Sequence, residues 1–212
     1  MLTCPQIDKV APANPAAAFA NVTTLHLGRS WDPNSAPFSP GVVRMGWHGN
    51  RILYYAELTD TYPFSAGRRR NDFLWLLGDT FEFFAGVAGE SSYVEYHCAP
   101  NGTILQLRLP QRLFLKDHEV FEKIPPYCIE DNESTARVLP FAGGWAVYGE
   151  FCTRVLGVTA DSLRGQEWDV SFSRYDYDRL EGKPMNTSTS QFQPGPKLSF
   201  HSREFWSRVH FE

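Results

Sequence analysis

The chain has 212 residues, of which 42% are hydrophobic and 21% charged, values typical of one globular domain rather than of a disordered or coiled-coil protein. The formal net charge of −4 provides no basic surface, and no apolar run reaches the roughly 20 residues of a membrane helix, so we expect neither a nucleic-acid nor a membrane partner. Aromatic residues reach 15% beside 16 Gly and 15 Pro, which favours short strands and tight turns over a helical bundle.

The first part of the chain lacks a hydrophobic period. Residues 1–40 are rich in Pro, Ala, Asn and Ser, and we predict an irregular N-terminal extension that packs on a domain formed by residues 41–212. No secretory signal is visible at the N-terminus. The four cysteines (Cys4, Cys98, Cys128 and Cys152) permit disulfides, which a domain of this size does not require.

The first clear element is a β-hairpin around Gly49-Asn50, where alternating segments flank a two-residue turn. Counting outward from the turn pairs Trp47 with Ile52, Met45 with Tyr54 and Val43 with Ala56. These residues form one apolar face, so we expect Trp47 in the core.

Residues 78–87 follow a loop and alternate again. Phe81, Phe83 and Ala85 share the apolar face of this predicted strand, whereas Glu82 lies on the other face. Trp75 comes just before the strand, at the point where the loop enters it.

A second hairpin is predicted around Pro100-Asn101-Gly102-Thr103, because Asn-Gly is the favoured pair of a type I′ turn. That turn pairs Cys98 with Leu105, Tyr96 with Leu107 and Val94 with Leu109 on one face, and His97 with Gln106 and Glu95 with Arg108 on the other. The hairpin therefore has a core face and a polar face.

The rest of the chain supplies more strands. Residues 110–135 are predicted to be irregular or partly helical, and further strands are expected after Gly143-Gly144, over residues 166–175 and over residues 207–211. Seven or more antiparallel strands with one apolar face each need two packed sheets. We predict an all-β protein with an antiparallel β-sandwich fold, either jelly-roll-like or immunoglobulin-like.

Catalytic motifs are absent from the sequence: it has no nucleophile elbow, zinc-protease helix, P-loop or dinucleotide-binding glycine pattern. We therefore assign no catalytic residue, no metal ligand and no cofactor, and expect a protein that is not an enzyme.

The polar side of the predicted sheet is the remaining candidate site. It carries Glu82, Glu95, His97, Gln106 and Arg108. Such a face is often merely solvated, and Glu95 opposite Arg108 is then an ordinary cross-strand ion pair. Alternatively, planar carboxylate, amide and guanidinium groups bind sugar hydroxyls, while an aromatic rim residue such as Trp75 packs on the sugar ring.

Several segments of the chain follow one another in the order seen in a known protein family. They are residues 47–56, which begin Trp47-His48-Gly49-Asn50, the motif Gly78-Asp79-Thr80-Phe81-Glu82, the hairpin of residues 93–109, and residues 145–158, 166–175 and 200–206. In order and spacing they resemble the family 9 carbohydrate-binding modules and their DOMON-like relatives, over residues 40–212.

The resemblance implies a non-catalytic β-sandwich that binds oligo- or polysaccharides in an extracellular or periplasmic setting. In that family two tryptophans can clamp a sugar ring; Trp75 lies one position from the first, and Phe192 replaces the second. Glu82 matches a family Glu that hydrogen-bonds the sugar. Family members can also hold a structural calcium, for which no acidic loop cluster is evident here.

Three alternatives remain open. DOMON-like sandwiches can bind haem, which needs two axial ligands such as a Met and a His at one pocket. A glycan-acting enzyme would use Glu82 and Glu95 as a carboxylate pair. Exposed aromatic residues would also suit a protein partner.

Overall fold

Two β-sheets pack face to face in the computed structural model, which describes residues 1–8, 14–27, 29–30, 39–159, 161–177, 184–189 and 199–212. Sheet A has the main strand order β1-β13-β11-β6-β7-β8, and β12 and β3 extend it beside β11. Sheet B has the order β2-β4-β5-β10-β9. The all-β sandwich prediction is confirmed.

The strands of sheet A are β1 (Leu2–Cys4), β3 (Arg29–Ser30), β6 (Thr80–Val87), β7 (Tyr93–Cys98), β8 (Ile104–Leu109), β11 (Glu167–Asp176), β12 (Met185–Ser188) and β13 (Ser207–Phe211). Those of sheet B are β2 (Leu25–His26), β4 (Gly41–His48), β5 (Arg51–Thr59), β9 (Ser134–Phe141) and β10 (Gly144–Cys152). Neighbouring strands are antiparallel, apart from the parallel pair β1 and β13.

Helical structure is brief among the described residues. The two α-helices are α1 (Pro15–Ala18) and α2 (Val120–Lys123), and single 3₁₀ turns cover Leu74–Leu76, Asp117–Glu119, Pro125–Tyr127, Thr153–Leu156 and Arg203–Phe205. None of these helices has the length and apolar composition to cross a membrane.

Aromatic residues fill the main core between the sheets. Phe83 of β6 stacks on Phe172 of β11 with ring centroids 4.5 Å apart, and Tyr54 of β5 packs against both rings. Trp47, Trp145 and Trp168 are at most 1% exposed, as the alternation predicted. Burial of such large apolar groups is the main source of stability in a sandwich.

The first hairpin, β4 and β5, has the predicted register, with Trp47 opposite Ile52 and Val43 opposite Ala56. Gly49 takes a positive φ of 59° in the turn. A glycine reaches this conformation without the steric cost that a Cβ would impose.

The second hairpin, β7 and β8, differs from its prediction by one residue. Glu95 lies opposite Leu107 and Tyr96 opposite Gln106. Pro100 explains the shift: a two-residue Asn-Gly turn would need an N–H at position 100, which proline lacks. The N–H of Ala99 donates to Thr103 instead, and only Gly102 of the turn has a positive φ, 83°.

The N-terminal residues are not irregular throughout. Leu2–Cys4 pairs in parallel with β13, and Phe19 is fully buried with its ring 6.1 Å from that of Tyr55 on the outer face of sheet B. The described part of residues 1–40 therefore contributes short strands to both sheets. All four cysteines are free thiols.

Candidate functional site

The outer face of sheet A is covered by the chain itself. A second hydrophobic cluster packs there, and its buried members are Leu74, Phe84, Tyr93, Ala99, Leu105, Leu107, Leu109, Ile124, Phe200 and Trp206. The predicted water-exposed polar face is therefore wrong, since Glu82, Glu95 and His97 are only 2%, 4% and 2% exposed. The covering residues come from loops that are far apart in the sequence. The alternation of a strand shows which residues share a face but not whether other segments cover that face.

The cover leaves a partly open pocket of about 550 Å³ above Glu82 and Glu95, hereafter the sheet A pocket. Its other described lining residues are Trp75, Tyr93, Leu107, Leu109, Leu113, Leu115, Val120, Ile124, Tyr175, Pro184, Met185, Asn186, Ser199, Phe200 and His201. Most of the lining residues are apolar in type, and the polar groups among them include the two buried carboxylates, a combination typical of small-molecule sites.

Three polar side chains meet at the floor of this pocket. Glu82 on β6 lies directly opposite His97 on β7, and Glu95 is two residues from His97 on the same face. His97 Nε2 is 2.6 Å from Glu95 Oε1 and 3.3 Å from Glu82 Oε1. One ring nitrogen therefore serves two buried carboxylates.

Burial and mutual contact shift the pKa values of this trio. Burial raises the pKa of Glu82 to about 8, an effect that Glu95 reinforces and His97 opposes. Burial alone would raise the pKa of Glu95 as well, but His201 and His97 hold it below its usual value. The pKa of His97 is raised because Glu82 and Glu95 outweigh its burial.

A second histidine extends the network at the pocket wall. His201 Nδ1 lies 2.8 Å from the hydroxyl of Tyr93 and 3.8 Å from Glu95 Oε2. Tyr93 and His201 are 108 residues apart. Because no local pattern joins them, neither residue was predicted as a site residue from the sequence, nor were Tyr175, Met185 and Asn186.

Trp75 borders the pocket from the 3₁₀ turn Leu74–Leu76. Its half-buried ring meets His97 edge-on at 5.5 Å and stacks on Phe73 at 5.1 Å. The Trp75 carbonyl accepts a hydrogen bond of 2.6 Å from the Tyr177 hydroxyl, which fixes the turn.

Two predicted site residues lie elsewhere. The one-residue register shift places Gln106 and Arg108 on the face opposite Glu95 and His97. Gln106 donates to the carbonyls of Ile129 and Asp131 and accepts a hydrogen bond from the Ser134 amide, whereas Arg108 is exposed. Phe192 lies outside the described residues.

Unpartnered acceptors are the other notable feature of the pocket. Glu95 Oε2 and Asn186 Oδ1 are buried and have no hydrogen-bond partner among the described residues. Both residues line the pocket. A buried acceptor without a donor costs about 1–3 kcal/mol, so a ligand with hydroxyl or amine donors would be favoured here.

A separate acidic cluster lies at one end of the sandwich, where Asp60, Asp79 and Asp176 have carboxylate oxygens within 4.8 Å of one another. The buried Arg174 donates to Asp60 at 2.9 Å and to Asp176 at 3.1 Å, and Asp79 accepts two backbone N–H bonds. With every carboxylate engaged in this way, the cluster does not fit a calcium ion unless Arg174 leaves. The calcium implied by the family resemblance stays a prediction.

Comparison with known proteins identifies the fold. No family model and no curated protein matches the sequence. A protein from Bacteroides uniformis, provisionally described as carbohydrate-binding, has a TM-score of 0.76 at 15% identity, with 100% of this chain and 98% of that chain covered. A family 9 carbohydrate-binding module from Caldicellulosiruptor kristjanssonii is similar in two complexes.

The complex with cellotriose has a TM-score of 0.63 at 10% identity and covers 100% of this chain and 93% of the module. The complex with glucose has a TM-score of 0.62 at 10% identity and covers 100% and 95%. This chain therefore has the β-sandwich fold of the family 9 carbohydrate-binding modules.

Proposed function

We propose that the protein is a non-catalytic carbohydrate-binding domain and that its ligand occupies the sheet A pocket. The observation that carries the proposal is the combination of a half-buried indole, Trp75, with the unpartnered acceptors Glu95 Oε2 and Asn186 Oδ1. A pyranose has C–H groups that pack on an aromatic ring and hydroxyls that donate to such acceptors. The fold is that of modules crystallised with glucose and cellotriose.

Calorimetry with glucose, cellotriose and a wider oligosaccharide panel tests this proposal. We expect Trp75→Ala and Asn186→Ala each to weaken binding about tenfold or more, since each removes a contact worth roughly 1.4 kcal/mol. Leu76→Ala is the matched control, because Leu76 belongs to the same 3₁₀ turn and is 50% exposed. Folded protein that binds no oligosaccharide of the panel would disprove the proposal.

The haem alternative has one observation in its favour: Met185 and His201 both line the sheet A pocket. The floor argues against it, because an apolar macrocycle would cover the buried Glu82 and Glu95 carboxylates without hydrogen-bonding them. We therefore expect purified protein mixed with haem to show no shifted Soret band. A shifted band that Met185→Leu or His201→Ala removes would favour haem instead.

The enzyme alternative rests on Glu82 and Glu95. Both carboxylates contact the same His97 nitrogen and lie within 4.8 Å of each other, closer than the roughly 5–9.5 Å between the two carboxyl groups that flank a glycosidic bond in glycosidases. We expect cellotriose to remain intact after prolonged incubation, as checked by chromatography of the mixture. Cleavage that Glu82→Gln abolishes would contradict this expectation.

A further inference from the structure

The floor of the sheet A pocket carries more acidic than basic side chains. Glu82 and Glu95 approach each other within 4.8 Å, and both are almost completely buried. Among the described residues that line the pocket there is no Lys or Arg. Two buried carboxylates need a compensating charge, which the imidazoles of His97 and His201 and shared protons provide here.

The donor atoms converge on one position. Glu82 Oε1 and His97 Nε2 are 3.3 Å apart, close to the roughly 3.4 Å that separates two ligands about 2.1 Å from a tetrahedral ion. His97 Nε2 and Glu95 Oε1 are 2.6 Å apart, the length of a hydrogen bond whose proton a metal ion would replace. An ion in this position would replace the proton and lengthen the contact to about 3.4 Å.

A second observation, which the sugar proposal also uses, points to a ligand beside Glu95. Glu95 Oε2 is buried and lacks a hydrogen-bond partner among the described residues, although it belongs to a residue that lines the pocket. The nearest cationic candidate is His201 Nδ1 at 3.8 Å, beyond hydrogen-bond distance.

We propose that Glu82, Glu95 and His97 form a binding site for a divalent transition metal ion of the zinc class, with an open coordination position toward the sheet A pocket. Two carboxylates and a neutral imidazole carry a charge of −2, which a divalent ion balances. The imidazole favours zinc, cobalt or nickel over calcium, which prefers six to eight oxygen ligands. The site shares Glu95 and the sheet A pocket with the proposed sugar ligand, and the titration below tests it without sugar.

The test is a titration of EDTA-dialysed protein with Co²⁺, followed by visible absorption and then by Zn²⁺ competition. We expect one equivalent of Co²⁺ to bind and to be displaced by Zn²⁺ but not by excess Ca²⁺. Glu82→Gln, Glu95→Gln and His97→Gln should each lower the affinity more than about tenfold, because even changes outside the first ligand sphere cost that much. His48→Ala is the control, since His48 is exposed and belongs to sheet B.

Thermal unfolding provides a second readout for each variant. Zinc in excess should raise the Tm of the wild type and of His48→Ala, by mass action on the folded state, but not that of Glu95→Gln. Wild-type protein that takes up no Co²⁺, uptake that survives all three Gln substitutions, or displacement by Ca²⁺ would each overturn the proposal.

Discussion

Burial of the single carboxyl group of Glu82 makes the stability of the folded state depend on pH. It is 2% exposed, and burial raises its pKa to about 8. The folded state therefore holds a proton at Glu82 that the unfolded chain loses near its ordinary value of 4.5. Between these two pH values the folded state binds more protons, so the contribution of Glu82 to stability falls as the pH rises.

Glu82→Gln should therefore remove a pH-dependent cost. We expect the variant to match the wild type in stability near pH 4.5 and to become more stable than the wild type by about 1 kcal/mol or more at pH 8, the equivalent of at least one pKa unit. Urea denaturation across this range checks the prediction. For the control Glu204→Gln, at an exposed position, the free energy of unfolding should follow the same pH dependence as in the wild type. If Glu82→Gln also follows the wild type, the buried carboxyl group does not cause the pH dependence.

At the scale of an element, the two hairpins show what local sequence can specify. Gly49-Asn50 has no proline beside it, and its predicted register is confirmed. Pro100 lies beside Asn101-Gly102 and moves the turn by one residue, which transfers Gln106 and Arg108 to the other face. The absence of a backbone N–H at Pro100 therefore explains why Gln106 and Arg108 do not line the pocket.

Gly102→Ala tests this turn. Its φ of 83° lies where a Cβ is disfavoured, and a Cβ added there would meet nothing within 4 Å. The expected loss of about 1 kcal/mol therefore comes from the backbone alone. Chemical denaturation measures the loss, and Gly102→Asn should recover part of it because Asn tolerates the left-handed region. Equal stability of Gly102→Ala and the wild type would contradict the observed turn.

Other elements were less predictable. Strand β9 was missed because it lies at the edge of sheet B, has only one buried residue and contains Pro140, so its apolar alternation is weak. The sheet A pocket was predicted only in part. Glu82, Glu95, His97 and Trp75 come from neighbouring strands and the preceding loop, whereas His201 and Asn186 come from segments much later in the chain, which no local pattern relates to those strands.

For the whole molecule, Arg174 joins the two sheets. It extends from β11 of sheet A, is fully buried, and donates to the Thr59 carbonyl of β5 at 2.7 Å and to Asp60 at 2.9 Å. Trp145 of sheet B donates to the same Asp60 carboxylate at 3.3 Å. A charged network therefore closes the end of an otherwise apolar sandwich.

Arg174→Met should leave the three aspartates buried without their cation. We expect a loss of about 3–5 kcal/mol in the free energy of unfolding, as is typical when one partner of a buried ion pair is removed. Arg208→Met is the matched control, because Arg208 is half-exposed in its pairs with Asp169 and Glu167 and should cost about 1 kcal/mol or less. Similar losses in the two variants would argue against the special role of Arg174.

Gln106 does not line the pocket, but it helps to protect the edge of sheet A from pairing with another molecule. Strand β8 ends sheet A, and a bare strand at that position would offer its amides and carbonyls to a neighbouring molecule. The Gln106 side chain tethers the segment that leads to β9, and the Gln106 carbonyl accepts from the Ile129 amide. Because this segment covers part of the β8 edge, fewer backbone groups are available to pair with a second molecule. We therefore expect little edge-to-edge or fibrous self-association through β8.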